Sequence, residues 1–209
     1  MDIVFADASL LVLNKPAGLL AVPGRGADKQ DCLSARVQAL YPDALVVHRL
    51  DMATSGLMLM ARGATMQRAV SRLFETRQVD KTYVAVVDGL LPVQPEWQVI
   101  DLPIWADWVA RPLRRVDPRG QPSTTRWRCV EQLADTAPAS RVELQPVTGR
   151  SHQLRVHLQA LGHPILGDGL YAPQDIAARA PRLLLHARNL AFVHPLNGAA
   201  LRFSSEAGF

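Results

Sequence analysis

Val47-His48-Arg49-Leu50-Asp51-Met52-Ala53-Thr54-Ser55-Gly56 stands between two apolar runs, Leu45–Val47 and Leu57–Ala61. Both runs are short, as buried strands are, so the chain must leave one strand and enter the next within this stretch. Gly56 and the hydroxyls of Thr54 and Ser55 supply turn chemistry there. An aspartate at such a point rides on a loop carried by rigid elements, where a reactive group is held in place. Taken alone, Asp51 reads rather as a residue that caps its own turn through backbone amides.

The same rhythm of short apolar runs and Pro/Gly punctuation continues on both sides. Strands are predicted at Leu10–Leu13, Leu45–Val47, Leu57–Ala61, Thr82–Val87, Thr124–Val130, Arg141–Leu144, Leu183–Leu185 and Asn189–Val193. Two helices are predicted. In Ala64–Arg77, Met66, Val70, Leu73 and Phe74 share one face. In Ser151–Leu161, Leu154, Leu158 and Leu161 form an apolar stripe, with His152, Arg155 and Gln159 on the opposite side and Gly162 as the stop. Many strands with few helices, in no regular alternation, predict an α+β fold around a mixed, mainly antiparallel sheet. A length of 209 residues without a repeat or a Gly/Ser linker suits a single domain over 1–209. The 15 prolines argue for loops rather than long helices.

The net charge is +4, the pI is about 9.5, and 20 of the 23 basic residues are arginine. A planar guanidinium forks onto phosphate and stacks on bases, so this balance suits nucleic acid; a coding bias toward arginine would produce it too. No apolar run approaches the roughly 20 residues that span a bilayer, and Met1–Phe5 does not read as a signal peptide. Cys32 and Cys129 match no zinc or redox spacing and read as free thiols of a reducing cytoplasm.

Three further segments carry chemistry. Thr148-Gly149-Arg150-Ser151-His152-Gln153-Leu154-Arg155-Val156-His157 opens a helix with a basic first turn. The helix dipole disfavours positive charge there, so either a buried carboxylate or a phosphate lies beside it or the helix start is exposed and solvated. His152 and His157 fall on different helix faces, which speaks against a metal site. Lys81-Thr82-Tyr83-Val84-Ala85 reads as a strand with Tyr83 and Ala85 on one side, where Tyr83 either stacks on a base or joins the core. Asn14-Lys15-Pro16-Ala17-Gly18 by itself reads only as a turn.

Taken together, the four segments resemble the RluA family of pseudouridine synthases, whose pattern they reproduce complete and in order: N-K-P-x-G, H-R-L-D-x-x-T-S-G, K-x-Y-x-A and G-R-x-H-Q-L-R-x-H. The resemblance runs from about Phe5 to the C-terminus. Met52-Ala53, Leu102-Pro103-Ile104, Asp107-Trp108, Arg111-Pro112, Gly162–Asp168 and Ala180–Ala187 resemble a dual-specificity member of that family. Such a member modifies a uridine in a 23S rRNA hairpin loop and one in a tRNA anticodon loop.

The resemblance implies an enzyme that isomerises uridine to pseudouridine without metal, redox cofactor or ATP, as a cytoplasmic monomer whose partner is RNA. It implies a catalytic domain with no N-terminal S4-like module. It implies Asp51 as the essential carboxylate, Arg150 as its guanidinium partner and Tyr83 as the ring packed on the target uracil. Arg49 would fill the space of the flipped nucleotide and Leu154 would form an apolar wall. His48, Thr54, His152 and Arg155 are further substrate-binding candidates. Arg111, Arg114, Arg115 and Arg119, with Trp105 and Trp108 nearby, are candidates for the RNA-facing surface. A non-catalytic RNA binder would not need the set Asp51, Arg150 and Tyr83, and a hydrolase would release free uracil.

Overall fold

A computed structural model describes residues 2–106, 111–133 and 137–209. In chain order the strands are β1 (Asp2–Ala6), β2 (Leu10–Lys15), β3 (Ala44–Val46), β4 (Ser55–Arg62), β5 (Asp80–Asp88), β6 (Gln98–Asp101), β7 (Ile104–Ala106), β8 (Arg114–Val116), β9 (Thr124–Leu133), β10 (Ala139–Pro146), β11 (Leu185–Val193) and β12 (Ala200–Ser204). The helices are α1 (Leu33–Gln38), α2 (Ala64–Glu75), α3 (Gln153–Ala160) and α4 (Gln174–Ala177). The chain divides into two compact units. The first holds residues 1–81 and 186–208, the second residues 82–185 and Phe209.

In the first unit β4 is the central strand. Along one edge it pairs antiparallel with β2, from Leu10↔Ala61 to Lys15↔Gly56. Its other edge is shared. Ser55 and Gly56 pair in parallel with His186 and Ala187 of β11, while Met60–Arg62 pair antiparallel with β3. β1 extends the sheet beyond β2, and β12 pairs antiparallel with β11. Alternate residues Leu10, Val12, Leu57, Leu59 and Ala61 meet Met66 and Val70 of α2, joined by Leu190 and Phe192. This is the face predicted for α2. The helix ends two residues earlier than expected because Arg77 turns left-handed, with φ 60°. Gln78 N then donates to Leu73 O at 2.8 Å and Arg77 N to Phe74 O at 3.2 Å, a Schellman stop.

Gly56 shows why the turn sequence is restrictive. Its φ is +109°, and a Cβ built there would lie 2.3 Å from Ala187 O and 2.6 Å from Ala187 N. Gly56→Ala therefore forces β11 away from β4 and strains the backbone. A loss of about 3 kcal/mol is expected, read as a lower denaturation midpoint. An unchanged midpoint would mean that β11 yields freely.

In the second unit the strand order is β5-β10-β9-β6, antiparallel throughout, and β7 and β8 form a separate antiparallel pair. The predicted α+β class with a mixed, mainly antiparallel sheet is the observed one. Two expectations change. Leu183–Leu185 and Asn189–Val193 are not two strands but one, β11, which starts at Leu185. Arg188 and Asn189, polar at its middle, interrupt the apolar pattern without ending the strand. The helix expected over Ser151–Leu161 is α3, and it is not amphipathic in its first two turns. Gln153, Leu154, Arg155, Val156, His157 and Leu158 are all buried. Gly162, at φ +83°, ends it as expected, with His163 N on Leu158 O and Gly162 N on Gln159 O.

Candidate active site

In the first unit, Asp51 is half-buried between buried Leu50 and buried Thr54. Thr54 N donates to Asp51 O at 3.1 Å and closes the turn. The loop is held from beneath by the Asn14–Gly18 segment, whose reading as a simple turn missed its most consequential residue. Lys15 is fully buried. Its Nζ donates to Pro16 O at 2.9 Å, Leu19 O at 2.8 Å and Met52 O at 3.0 Å, so all three ammonium protons are used. Gly18 N donates to the same Met52 carbonyl at 2.9 Å. The carbonyl next to Asp51 is thus fixed by two donors.

On the far side of the turn, Ser55 Oγ lies 2.9 Å from His186 Nδ1, and His186 Nε2 lies 3.1 Å from Ser205 O. Donation from Nε2 to that carbonyl leaves Nδ1 to accept the serine proton.

Burial pulls the Lys15 ammonium from the usual lysine range down to about 8, against the opposing attraction of Asp51. Above that pH it loses its charge and has fewer protons for three carbonyls. The rate at saturating RNA is expected to fall as pH rises through about 8. Global unfolding does not explain such a fall. An unfolded lysine keeps its proton to about 10.4, so above about 8 the unfolded chain binds more protons through this group and folding stability rises with pH. A pH–rate profile beside an unfolding series checks this; a rate that stays flat through that window would remove Lys15 from the support of Asp51.

His48 turns inward. Its Nε2 accepts from Leu59 N at 2.8 Å, and its ring stacks on Phe74 with centroids 4.5 Å apart. It fills the stretch of the β4 edge between the residues that pair with β11 and those that pair with β3. Burial, with Lys81 adding to it, pushes the imidazole down to about 3, so the ring is neutral. Arg49, its neighbour, is exposed.

The second unit carries the other candidates. Tyr83 is half-buried on β5, in register with Leu144 of β10. β10 runs into the loop that presents Arg150, whose side chain is exposed with Nε 3.5 Å from Pro122 O. Gln153 organises that loop. Its Oε1 accepts from Thr148 Oγ1 at 2.7 Å and from Arg150 N at 3.0 Å. Its Nε2 donates to Thr124 O at 3.0 Å and Thr125 Oγ1 at 2.9 Å. A buried amide that ties this loop to the start of β9 is a framework residue, and its place in the first turn of α3 was the one signal of it in the sequence.

The carboxylate expected beside the basic helix start is Asp168. Arg155, 4% exposed, donates to it through Nε at 2.8 Å and through the terminal nitrogen at 2.5 Å. Asp168 also accepts from Leu170 N and Tyr171 N. Arg155 therefore does not lie on an exposed helix face. His157, fully buried, spans Thr125 Oγ1 at 2.9 Å and Leu102 O at 3.0 Å. Leu154 is 6% exposed on α3.

Of the arginines around the β7–β8 pair, Arg115 and Arg119 share Asp117, at 3.5 and 2.8 Å. Hydrogen bonds from the Arg119 side chain and backbone amide, with the charges of Arg119 and Arg115 adding to them, hold that carboxyl far below the usual range. Arg119 also lies over the Trp105 ring at 5.2 Å. Arg111 is exposed, and Arg114 turns its guanidinium onto Pro112 O and Leu113 O. Asp107 and Trp108 lie outside the described residues.

A family model for RNA pseudouridylate synthase matches residues 9–160. The chain is 47% identical over 208 residues to the dual-specificity RNA pseudouridine synthase RluA of Escherichia coli K12, covering 99% of this chain and 93% of that one. It is 45% identical over 210 residues to the protein of the same name from Yersinia pestis, covering both in full. Among solved structures, human RNA Pseudouridylate Synthase Domain Containing 1 superposes with a TM-score of 0.81 at 29% identity, covering 98% of this chain and 82% of that one. Human RNA Pseudouridylate Synthase Domain Containing 4 does so with a TM-score of 0.75 at 30% identity, covering 98% and 88%.

Proposed function

The chain belongs to the RNA pseudouridylate synthase family, in its RluA branch, and from that premise we propose that it isomerises one uridine in a 23S rRNA hairpin loop and one in a tRNA anticodon loop. In this reaction the N1–C1′ bond breaks, the uracil turns while still bound, C5 bonds to C1′, the proton on C5 leaves and N1 takes one up. Atoms are conserved and nothing is oxidised, so the reading requires neither metal nor redox cofactor.

The observation that carries the assignment of Asp51 is the pinned loop. Lys15 Nζ and Gly18 N both hold Met52 O, which fixes the backbone beside the one carboxylate of the H-R-L-D segment. Asp51 supplies that carboxylate. Attack at C1′, removal of the 2′ proton and addition to C6 are its three available roles. In this reading Arg150 pairs with the carboxylate when RNA is bound and Tyr83 packs on the uracil. Leu154 walls the base, and Arg49, exposed beside the loop, enters the space left by the flipped nucleotide. Flipping costs least in poorly stacked loops, which suits hairpin targets.

His48 and Arg155, read from the sequence as substrate contacts, act in this proposal through the loops they support. His48 does so as a neutral ring on β4, Arg155 as the partner of Asp168. Thr54 and His152 stay at the site's margins. The arginines around β7 and β8 supply phosphate contacts. We read both units as one catalytic domain over 1–209, because the family match runs across their division, and place it as a monomer in the cytoplasm.

The test is to map pseudouridine in rRNA and tRNA from cells with and without the gene. Purified protein is then assayed on transcripts in excess EDTA. Both positions should lose the modification in the deletion strain and regain it in vitro with the chelator present. Release of free uracil, or a requirement for added metal beyond RNA folding, would overturn the reading.

A further inference from the structure

His152 stands immediately before α3 in a left-handed conformation, φ 59° and ψ 15°, with no glycine to relieve it. Such a backbone costs about 1 kcal/mol or more and persists where its surroundings impose it. What faces it is Tyr171. His152 Nδ1 lies 2.6 Å from the Tyr171 hydroxyl, and the rings meet edge to face with centroids 5.5 Å apart. The same hydroxyl oxygen accepts from Arg114 N at 2.9 Å. The hydroxyl thus holds both the Arg114 amide and His152 Nδ1 in one hydrogen-bonded chain. Tyr171 itself is 6% exposed and packed among Ile104, Val156, Leu113 and Val116. The Arg155 guanidinium lies 4.9 Å over its ring, and Asp168, the partner of Arg155, accepts from Tyr171 N. One buried hydroxyl thus ties the start of β8, where the basic segment begins, to the residue two places after Arg150.

We propose that Tyr171 is a positioning residue for RNA. Its hydroxyl locks the arginine-bearing β7–β8 segment to the start of α3, so that the phosphate contacts of the one and Arg150 on the other are presented in fixed register. The strain at His152 is the counterpart of this lock. The inference rests on the functional reading above.

Three variants test it: Tyr171→Phe, His152→Gly and the double. Tyr171→Phe keeps the ring, the packing and the contact with Arg155 but leaves Arg114 N–H without its acceptor. On a hairpin transcript, the RNA concentration for half-maximal single-turnover rate should rise about tenfold, with a smaller change in the saturating rate. His152→Gly relieves the left-handed backbone, so a residue needed only to start the helix would be improved by it. Here it should lose as much as Tyr171→Phe, and the double variant should be no worse than either single one within about twofold.

A second readout does not depend on activity: amide hydrogen exchange at Arg114 should accelerate by about tenfold in Tyr171→Phe. Wild-type behaviour of His152→Gly, multiplying losses in the double variant, or unchanged exchange at Arg114 would each overturn the proposal. Absence of pseudouridine formation by the wild-type protein would instead overturn the functional reading, while the exchange measurement still decides the lock.

Discussion

Asp51→Asn is expected to abolish pseudouridine formation, by on the order of 10³-fold or more in the single-turnover rate, while folding and RNA affinity persist. Asparagine nearly matches aspartate in volume, so the turn has no steric reason to change. The bonds that shape the loop are backbone ones: Thr54 N to Asp51 O, and Lys15 and Gly18 to Met52 O. What the substitution removes is the carboxylate, which in all three roles open to Asp51 is the group that does the chemistry. Putting a neutral carboxamide in place of the charged acceptor also leaves the buried Lys15 ammonium without the anion that favours its charge. The experiment pairs single-turnover kinetics with RNA titration and thermal unfolding. A variant within tenfold of wild type would take Asp51 out of the reaction.

Arg150→Ala is expected to lower the saturating single-turnover rate by about 10²-fold and to change RNA affinity by no more than about threefold. The loop should keep its shape, because Gln153 holds it through the Arg150 backbone amide and Thr148 rather than through the arginine side chain. A guanidinium that faces one carboxylate contributes little to a sum of phosphate contacts, so the salt dependence of binding should hardly move. Arg150→Lys should rescue poorly, since a point charge cannot reproduce a two-pronged fork. A phosphate-binding arginine would give the opposite pattern: an unchanged saturating rate, with the whole loss in affinity and the salt slope shallower by about one. That pattern would move Arg150 to the RNA-binding surface.

The comparison between the two kinds of arginine extends to the rest of the basic set. Arg115 and Arg119 already share Asp117. An RNA phosphate must compete with that carboxylate for them, which weakens each contact but favours ligands that satisfy both guanidinium groups together.

The sequence by itself determined the class of fold and the family. Strand β4 is written as a short continuous apolar run and the buried face of α2 in the helical period, because side-chain direction rotates with a fixed step along a helix. The short strands β1, β6, β7, β8 and β12 were not legible in this way. Each has three to five residues, too few for a pattern to rise above the surrounding loops.

Tertiary structure alone decided what the charged and polar residues of the motifs do. Lys15 sits in a segment that reads as a turn, and its role comes from Met52, 37 residues away. Arg155 falls on the polar side of a helical wheel, yet Asp168, 13 residues on, takes it into the interior. His48 precedes Asp51 by three positions and turns into the gap on the β4 edge. The left-handed turn at His152 meets the hydroxyl of Tyr171, 19 residues later. The physical reason is common to all four. Burying a charged or hydrogen-bonding group is tolerable only with a partner in place, and that partner is supplied by the path of the chain through space rather than by any local pattern.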